Sequence, residues 1–321
     1  MKVRYSFPVK SKTRTKDEFR LSSRGADIVV ETDLDGVVTG ISLTYTVDDP
    51  GLWPTIKATP NEATEFSVKM HSPFLEDAQQ IVRAAEGALS LYGFEKIDWS
   101  QPKEEYIPQS AEEESRLDIS SMSVSRFRVE GKDKEVTPFS IIATALLRSI
   151  ELAPHELPLA FYRKGSNDAY EERYIEACID FLFMLETLFA NGKFKKNQVI
   201  AEYAAQPELI EAIREVQGDV SLVSIAGRRD PSQGKKIYEQ YMSRTTDVVI
   251  ARIVELRGFL HHSNQKLNIS WHPDRHEDYL ADALFLNFVC SKIALNIFTS
   301  NAFTSENEQE FLRCWRASKN H

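Results

Sequence analysis

Two charged residues occupy positions where helical spacing otherwise places apolar side chains. Arg257 follows Val254 along one predicted helix, and Glu186 follows Leu182 along another. An unpaired ion inside a helical bundle costs several kcal/mol, so both residues need a partner. One interpretation is a structural ion pair between them. The other is that Arg257 faces a cleft and binds an anion while Glu186 orients its guanidinium, whose planar fork suits a phosphate.

Histidines cluster directly after this arginine. Of the seven in the chain, four lie between His261 and His276. An arginine beside a histidine suits phosphodiester cleavage, because the cation stabilises charge on the phosphoryl oxygens and the imidazole moves a proton near neutral pH. His261 is nearly in line with Arg257 on a regular helix, whereas His262 aligns only if the helix ends near it. Both histidines are candidates.

A metal site built from His261, His262, His272 and His276 is a competing interpretation. Pro273 interrupts the helical spacing of His272 and His276, and neither a cysteine nor a His-Glu-x-x-His motif accompanies them. We therefore expect no metal and no cofactor.

A second basic cluster, Arg228, Arg229, Lys235 and Lys236, lies in a segment that we predict to be a mobile loop. Its glycines are too far apart for a Walker phosphate loop, and Lys236 stands where that motif requires Ser or Thr. A solvated surface loop and a loop that contacts an RNA backbone, together with the lysines of residues 193–196, both fit this composition.

The segment Leu256–His262, which contains Arg257 and His262, resembles the Arg-x4–6-His signature of the HEPN superfamily, helical bundles found in many prokaryotic RNases and toxins. The predicted helix Tyr174–Phe189 resembles the first long helix of the ApeA-like HEPN branch, which is associated with bacterial anti-phage defence and often carries an N-terminal β-rich domain. The resemblance covers roughly Asp168–Phe303.

This resemblance implies a metal-independent endoribonuclease that leaves 2′,3′-cyclic phosphate and 5′-hydroxyl ends, with a composite site formed across a homodimer. Arg257 would bind the scissile phosphate and His262 would transfer a proton. The family frequently has a polar residue, often asparagine, after the arginine, and this chain has Gly258. That departure favours the alternative of a catalytically inactive protein that dimerises or binds and senses a nucleotide.

The composition agrees with a folded protein. The chain has 321 residues, of which 42% are apolar and 27% charged, so we expect about two domains. A net charge of −9 argues against a surface coated in nucleic acid but permits a local basic patch. Three widely spaced cysteines favour a reduced, cytoplasmic protein. The longest apolar stretch, Ala283 to Phe298, contains Asn287, Ser291 and Lys292, so we predict no membrane span.

Hydrophobic periodicity predicts an α+β fold. Residues 1–95 predict a β-rich α+β domain, with a hairpin around Asp33–Gly36 and an amphipathic helix from Phe74 to Tyr92. Residues 96–136 are acidic and interrupted by proline, which predicts a solvated linker or a surface excursion. Residues 137–321 predict an all-α, HEPN-like bundle. We expect that bundle to bind RNA as a homodimer and the N-terminal domain to respond to a trigger ligand or regulator.

Six helices are predicted in the second half by apolar residues at spacings of three and four. They cover Phe139–Leu152, Asp168–Ala190, Asn197–Ala205, Pro207–Gln217, Gln233–Leu260 and Glu277–Thr299. Pro154 and Pro158 are expected to close the first helix, and the apolar stripe of the fifth is formed by Val249, Ile253, Leu256 and Leu260.

Overall fold

The structure, a computed structural model, describes residues 1–15, 19–58, 66–69, 71–99, 102–117, 121–122, 135–261, 275–299 and 309–313. It divides into two compact units. We call Met1–Ala153 with Asn301–His321 the sheet unit, and Pro154–Ser300 the helical unit.

The sheet unit is built on an antiparallel sheet. Its strands are β1 (Lys2–Ser11), β2 (Thr13–Arg14), β3 (Phe19–Ser23), β4 (Ala26–Thr32), β5 (Val38–Thr46), β6 (Thr55–Ala58), β7 (Phe66–Lys69), β8 (Phe94–Ile97), β9 (Lys103–Ile107), β10 (Ser121–Met122) and β11 (Glu135–Val136). The main sheet has the order β10-β9-β1-β5-β4-β3, and β8 also pairs with β1. Strands β11 and β2, and strands β6 and β7, form two small separate sheets.

The predicted hairpin is confirmed between β4 and β5, which pair antiparallel. Asp33 shapes the connection, because its carboxylate accepts hydrogen bonds from the backbone N–H of Asp35 at 3.0 Å and of Val37 at 2.8 Å. Gly36 has a φ of +76°, a conformation that glycine adopts without the strain of a Cβ. Side chains of β1 alternate between buried and half-buried along the whole strand, so one face of the sheet belongs to the core.

Part of the segment 96–136, predicted to be an acidic linker or surface excursion, belongs instead to the main sheet. Strand β9 lies in the main sheet beside β1, and its Glu104 and Tyr106 side chains are buried. The inward carboxylate of Glu104 accepts a hydrogen bond from the Ser72 hydroxyl at 2.7 Å. The acidic run that follows forms the helix α2 (Ala111–Ser115), capped by Ser110. Carboxylates in a first helical turn interact favourably with the helix dipole.

Helix α1 (Leu75–Leu89) covers the core of the sheet unit and confirms the predicted amphipathic helix. Helices α3 (Phe139–Leu147) and α4 (Ser149–Leu152) pack against it. The predicted single helix over this region is therefore two helices, divided at Arg148. Because α3 and α4 contact α1, the units divide at Ala153, whereas the sequence pattern placed the boundary at residue 137.

The helical unit contains eight further helices in the described residues. They are α5 (Glu156–Tyr170), α6 (Tyr174–Phe189), α7 (Lys196–Ala204), α8 (Pro207–Gly218), α9 (Ser221–Arg229), α10 (Pro231–Ile237), α11 (Thr246–His261) and α12 (Leu280–Thr299). Helix α12 is central, since it contacts α5, α6, α8, α9 and α10. The helical segment His276–Thr299 is long and apolar enough to cross a membrane, with a mean hydropathy of 1.5, and 61% of its apolar window is buried within the protein. Burial against five helices accounts for its composition.

Two predicted helices in this unit differ from the structure. Pro158 does not end a helix but lies in the first turn of α5, where a missing N–H breaks no hydrogen bond. The chain then turns at Glu172, whose φ is +62°, so α5 and α6 are separate and close together. The predicted helix from Gln233 to Leu260 is also divided. A π-helical turn at Tyr238–Met242 ends its first part, and α11 starts at Thr246.

Candidate functional site

Helix α11 positions Arg257 at the edge of its buried seam. Val249, Ile253, Leu256 and Leu260 are all buried, which confirms the predicted apolar stripe. Helix α11 packs against α6 and α7, and α6 carries Glu186. The side chains of Arg257 and Glu186 are 15% and 20% exposed. Both are therefore largely removed from water but still reachable by it.

These two side chains form a bidentate ion pair, a contact that both interpretations of their placement include. The Nε of Arg257 donates to Oε1 of Glu186, and its Nη2 donates to Oε2 at 3.2 Å. The hydrogen bonds to Glu186 raise the pKa of Arg257 above its ordinary value, so the guanidinium remains charged. Paired bonds also fix the plane of the guanidinium, which a single contact does not do.

The same arginine lines a cleft of about 250 Å³, together with Phe194, Lys196, Val254, Glu255 and Gly258. Its Nη1 donates to the backbone carbonyl of Phe194 at 3.4 Å. Of the five N–H donors of an arginine, these contacts use three, and within the described residues the other two have no acceptor. Gly258 adds room, because no heavy atom of the described residues beyond its own helical turn lies within 4 Å of the position that a Cβ would take.

Tyr203 on α7 interacts electrostatically with both Glu186 and Arg257, and it was not predicted from the sequence. Its side chain is fully buried, and its hydroxyl has no hydrogen-bond partner in the described part of the chain. Burial, and then the charge of Glu186, raise the pKa of Tyr203, while Arg257 lowers it. The phenol therefore stays protonated beside the ion pair. No sequence signal marks Tyr203, since it occupies an ordinary apolar position of α7.

Of the two candidate histidines, only His261 is among the residues that the structure describes. His261 ends α11, is exposed, and its ring lies 5.2 Å from that of Phe183 on α6. It follows Arg257 by one helical turn of α11. His262 lies outside the described residues, so the choice between the two histidines stays open.

The prediction of a mobile basic loop over residues 227–236 is wrong, because this segment is helical apart from Asp230. Helices α9 and α10 meet there at Asp230, whose carboxylate caps α10 by accepting from the N–H of Ser232 at 2.8 Å. Arg228 and Lys235 are exposed, and the side chain of Arg229 is not described. Lys235 lies 3.7 Å from Glu239. Neither Arg228 nor Lys235 lines the cleft of Arg257.

Lys236 belongs instead to a second charged cluster, around Asp282 of α12. The Asp282 carboxylate is 2% exposed, and it pairs with Lys236 at 3.0 Å and with Arg252 at 2.8 Å. It also accepts a hydrogen bond from the hydroxyl of Tyr241 in the π-helical turn. Burial raises the pKa of Tyr241, which keeps this donor protonated. A cleft of about 280 Å³ adjoins the cluster and shares Glu255 with the first cleft.

Metal ligands are not assembled in the described residues, where no group of three or more His, Cys, Asp or Glu side chains converges. His276 lies 3.3 Å from Glu176 through its Nδ1 atom. The other histidines of the alternative zinc site, apart from His261, lie outside the described residues. Cys178 and Cys290 are buried and unbridged.

No protein-family model, curated protein sequence or solved structure matches this chain.

Proposed function

We propose that the helical unit binds RNA through Arg257 and cleaves it without a metal ion. The observation that carries this proposal is the state of Arg257, which is fixed by Glu186 on one edge and has two donors left at a cleft. A guanidinium held in this way can donate two hydrogen bonds to a phosphate without losing its orientation. Lys196 at the same cleft adds a second positive charge, although Glu255 pairs with it at 2.8 Å.

The proposed reaction is an internal transfer at phosphorus. The ribose 2′-oxygen forms a bond to phosphorus as the bond to the 5′-oxygen breaks, which leaves a 2′,3′-cyclic phosphate and a 5′-hydroxyl. A histidine, His262 or His261, accepts the proton of the 2′-hydroxyl, and the leaving 5′-oxygen takes up a proton. Arg257 stabilises the charge that develops on the phosphoryl oxygens.

The HEPN resemblance supplies the assembly that this proposal includes. Two copies of the helical unit would contribute their arginines and histidines to one composite site in a homodimer. The sheet unit would then respond to a trigger ligand or regulator, in a cytoplasmic protein of anti-phage defence.

A non-catalytic protein that binds a nucleotide and dimerises is the second candidate. Two observations favour it. Gly258 supplies no polar side chain at the cleft, and Glu186 neutralises much of the charge of Arg257. Such a protein would bind a phosphate at Arg257 and leave RNA intact.

Expression of the full chain tests the proposal. The variants are Arg257→Ala, His261→Ala and His262→Ala, with Arg214→Ala as a control, since Arg214 is an exposed arginine of α8 that lies outside the cleft. We expect the wild type and Arg214→Ala to degrade cellular RNA, Arg257→Ala to be inactive, and one of the two histidine variants to be inactive.

The ends of the fragments identify the chemistry. Fragments should carry 5′-hydroxyls that polynucleotide kinase labels directly, and purified protein should cleave in the presence of a chelator. A folded wild-type dimer that binds nucleotides and leaves every RNA intact would overturn the nuclease and support the second candidate.

A further inference from the structure

The ring of Phe194 is displayed on a well-defined turn between α6 and α7, with 70% of the residue exposed. The backbone before it is fixed at several points. Asn191 and Gly192 have φ values of 47° and 72°, and the N–H of Lys193 donates to the carbonyl of Ala190 at 2.8 Å. The side-chain amide of Asn191 also donates to Glu202 at 2.8 Å. This turn therefore holds an aromatic ring in water. Exposure alone is not informative, because single exposed apolar residues are common on proteins.

The position of this ring distinguishes it from an ordinary exposed side chain. Phe194 lines the cleft of Arg257, and its carbonyl accepts a hydrogen bond from Nη1 of that arginine. The neighbouring lysines Lys193, Lys195 and Lys196 are all exposed. The ring thus lies at a cleft with Arg257 and Lys196, which pair with Glu186 and Glu255, and it is flanked in sequence by the exposed Lys193 and Lys195. Two N–H donors of Arg257 have no acceptor among the described residues.

This combination is the one that single-stranded nucleic acids require. Cations follow the phosphates, and an aromatic ring stacks on a base, with a contribution of about 1–3 kcal/mol for each base. A base in a duplex is already stacked on both faces and is not free to cover a side chain. The occupant that fits the ring and its charges is therefore an unpaired nucleobase.

We propose that Phe194 is the stacking platform for the unpaired base of the nucleotide whose phosphate Arg257 binds. This inference depends on the phosphate site of the proposed function, but it does not require cleavage. It makes Phe194 a specificity-determining residue that selects single-stranded over paired RNA.

Binding of an uncleavable oligonucleotide tests the inference. The probe is a short single strand with 2′-O-methyl riboses and one 2-aminopurine, a base whose fluorescence is quenched on stacking. The full-length protein is compared with Phe194→Trp, Phe194→Leu and Phe194→Ala. Leucine keeps an apolar side chain without a ring, so it separates stacking from simple burial.

We expect quenching and equal affinity for the wild type and Phe194→Trp. Phe194→Leu and Phe194→Ala should both raise the Kd about 5- to 150-fold. A strand with an abasic site in place of the stacked base should bind the wild type as weakly as the intact strand binds Phe194→Ala.

Three results would overturn the inference. One is a Phe194→Leu variant that binds the intact strand like the wild type. Another is a Phe194→Ala substitution that raises the Kd by the same factor for the abasic strand as for the intact strand. The third is conversion of a dimer to a monomer by Phe194→Ala, seen by sedimentation, because the ring would then cover a second copy of the chain.

The outcome is separable from that of the nuclease proposal. Cleavage that Arg257→Ala abolishes and Phe194→Leu leaves unchanged would retain the nuclease and remove the platform. Quenching at Phe194 without any cleavage would retain the base site and remove the nuclease.

Discussion

The ion pair between Glu186 and Arg257 should couple the stabilities of α6 and α11. Glu186→Ala leaves a largely buried guanidinium with only the carbonyl of Phe194 as an acceptor among the described residues. Arg257→Ala leaves the carboxylate of Glu186 without its two donors. A double-mutant cycle with both single variants and the double variant isolates the energy of the pair from the cost of each truncation.

The size of this coupling follows from the exposure of the pair. Fully exposed ion pairs contribute about 0–1 kcal/mol, whereas breaking a fully buried pair costs about 3–5 kcal/mol. At 15% and 20% exposure the pair lies between these limits. We therefore expect about 2–3 kcal/mol of lost unfolding free energy in each single variant, and a coupling energy of about 2 kcal/mol.

The chain offers a matched control on the same helix. Lys196 and Glu255 join α7 to α11 at 2.8 Å, but both side chains are 56% exposed. Their cycle, with Lys196→Ala and Glu255→Ala, should give a coupling energy below about 0.5 kcal/mol. Urea unfolding followed by far-ultraviolet circular dichroism measures both cycles. With a denaturant slope of about 2 kcal/mol per molar urea, the first coupling corresponds to a midpoint difference of about 1 M.

The reasoning fails if the two cycles give the same coupling energy. Burial would then not be what strengthens the bond between Glu186 and Arg257. The argument that Glu186 fixes the guanidinium would lose its energetic support as well.

Two further predictions concern the same unit. Burial raises the pKa of Asp180 on α6 from 3.8 to about 6. Between about pH 4 and pH 6 the folded state keeps a proton that the unfolded chain loses, so the unfolding free energy of the wild type should fall with rising pH relative to Asp180→Asn. Urea titrations across this range measure the difference, and a difference independent of pH contradicts the assignment. Gly258→Ala should stabilise α11 by about 1 kcal/mol, because alanine favours a helix and its Cβ meets no heavy atom within 4 Å among the described residues beyond its own helical turn. A decrease in urea midpoint would show that the cleft has less room than described.

Local patterns predicted the parts of the fold that depend on neighbours in sequence. The hairpin at Asp33, the helix α1 and the buried seam of α11 all follow from spacing along one segment. The charged residues Glu186 and Arg257 were also identifiable, because each interrupts the apolar row of its own helix. Both interpretations of these residues included a contact between them, but only the structure places the two helices side by side.

The errors came from residues whose local preference is overridden by packing. Consecutive glutamates made β9 look like solvated linker, yet Glu104 points inward and bonds to Ser72. Pro158 was interpreted as a stop, although it occupies the first turn of α5. Tyr203 and Asp282 could not be found from sequence, since the charged side chains that influence them lie on other helices.

The return of the chain to the sheet unit has a consequence for synthesis. The backbone N–H of Ser22 on β3 donates to the side chain of Glu310 at 2.6 Å, so the sheet unit is completed by residues that follow the helical unit. A ribosome delivers Pro154–Ser300 in full before it delivers Glu310. The nascent helical unit can therefore fold before the sheet unit is complete. Any control of the helical unit that requires a complete sheet unit can begin only after the helical unit has been synthesised.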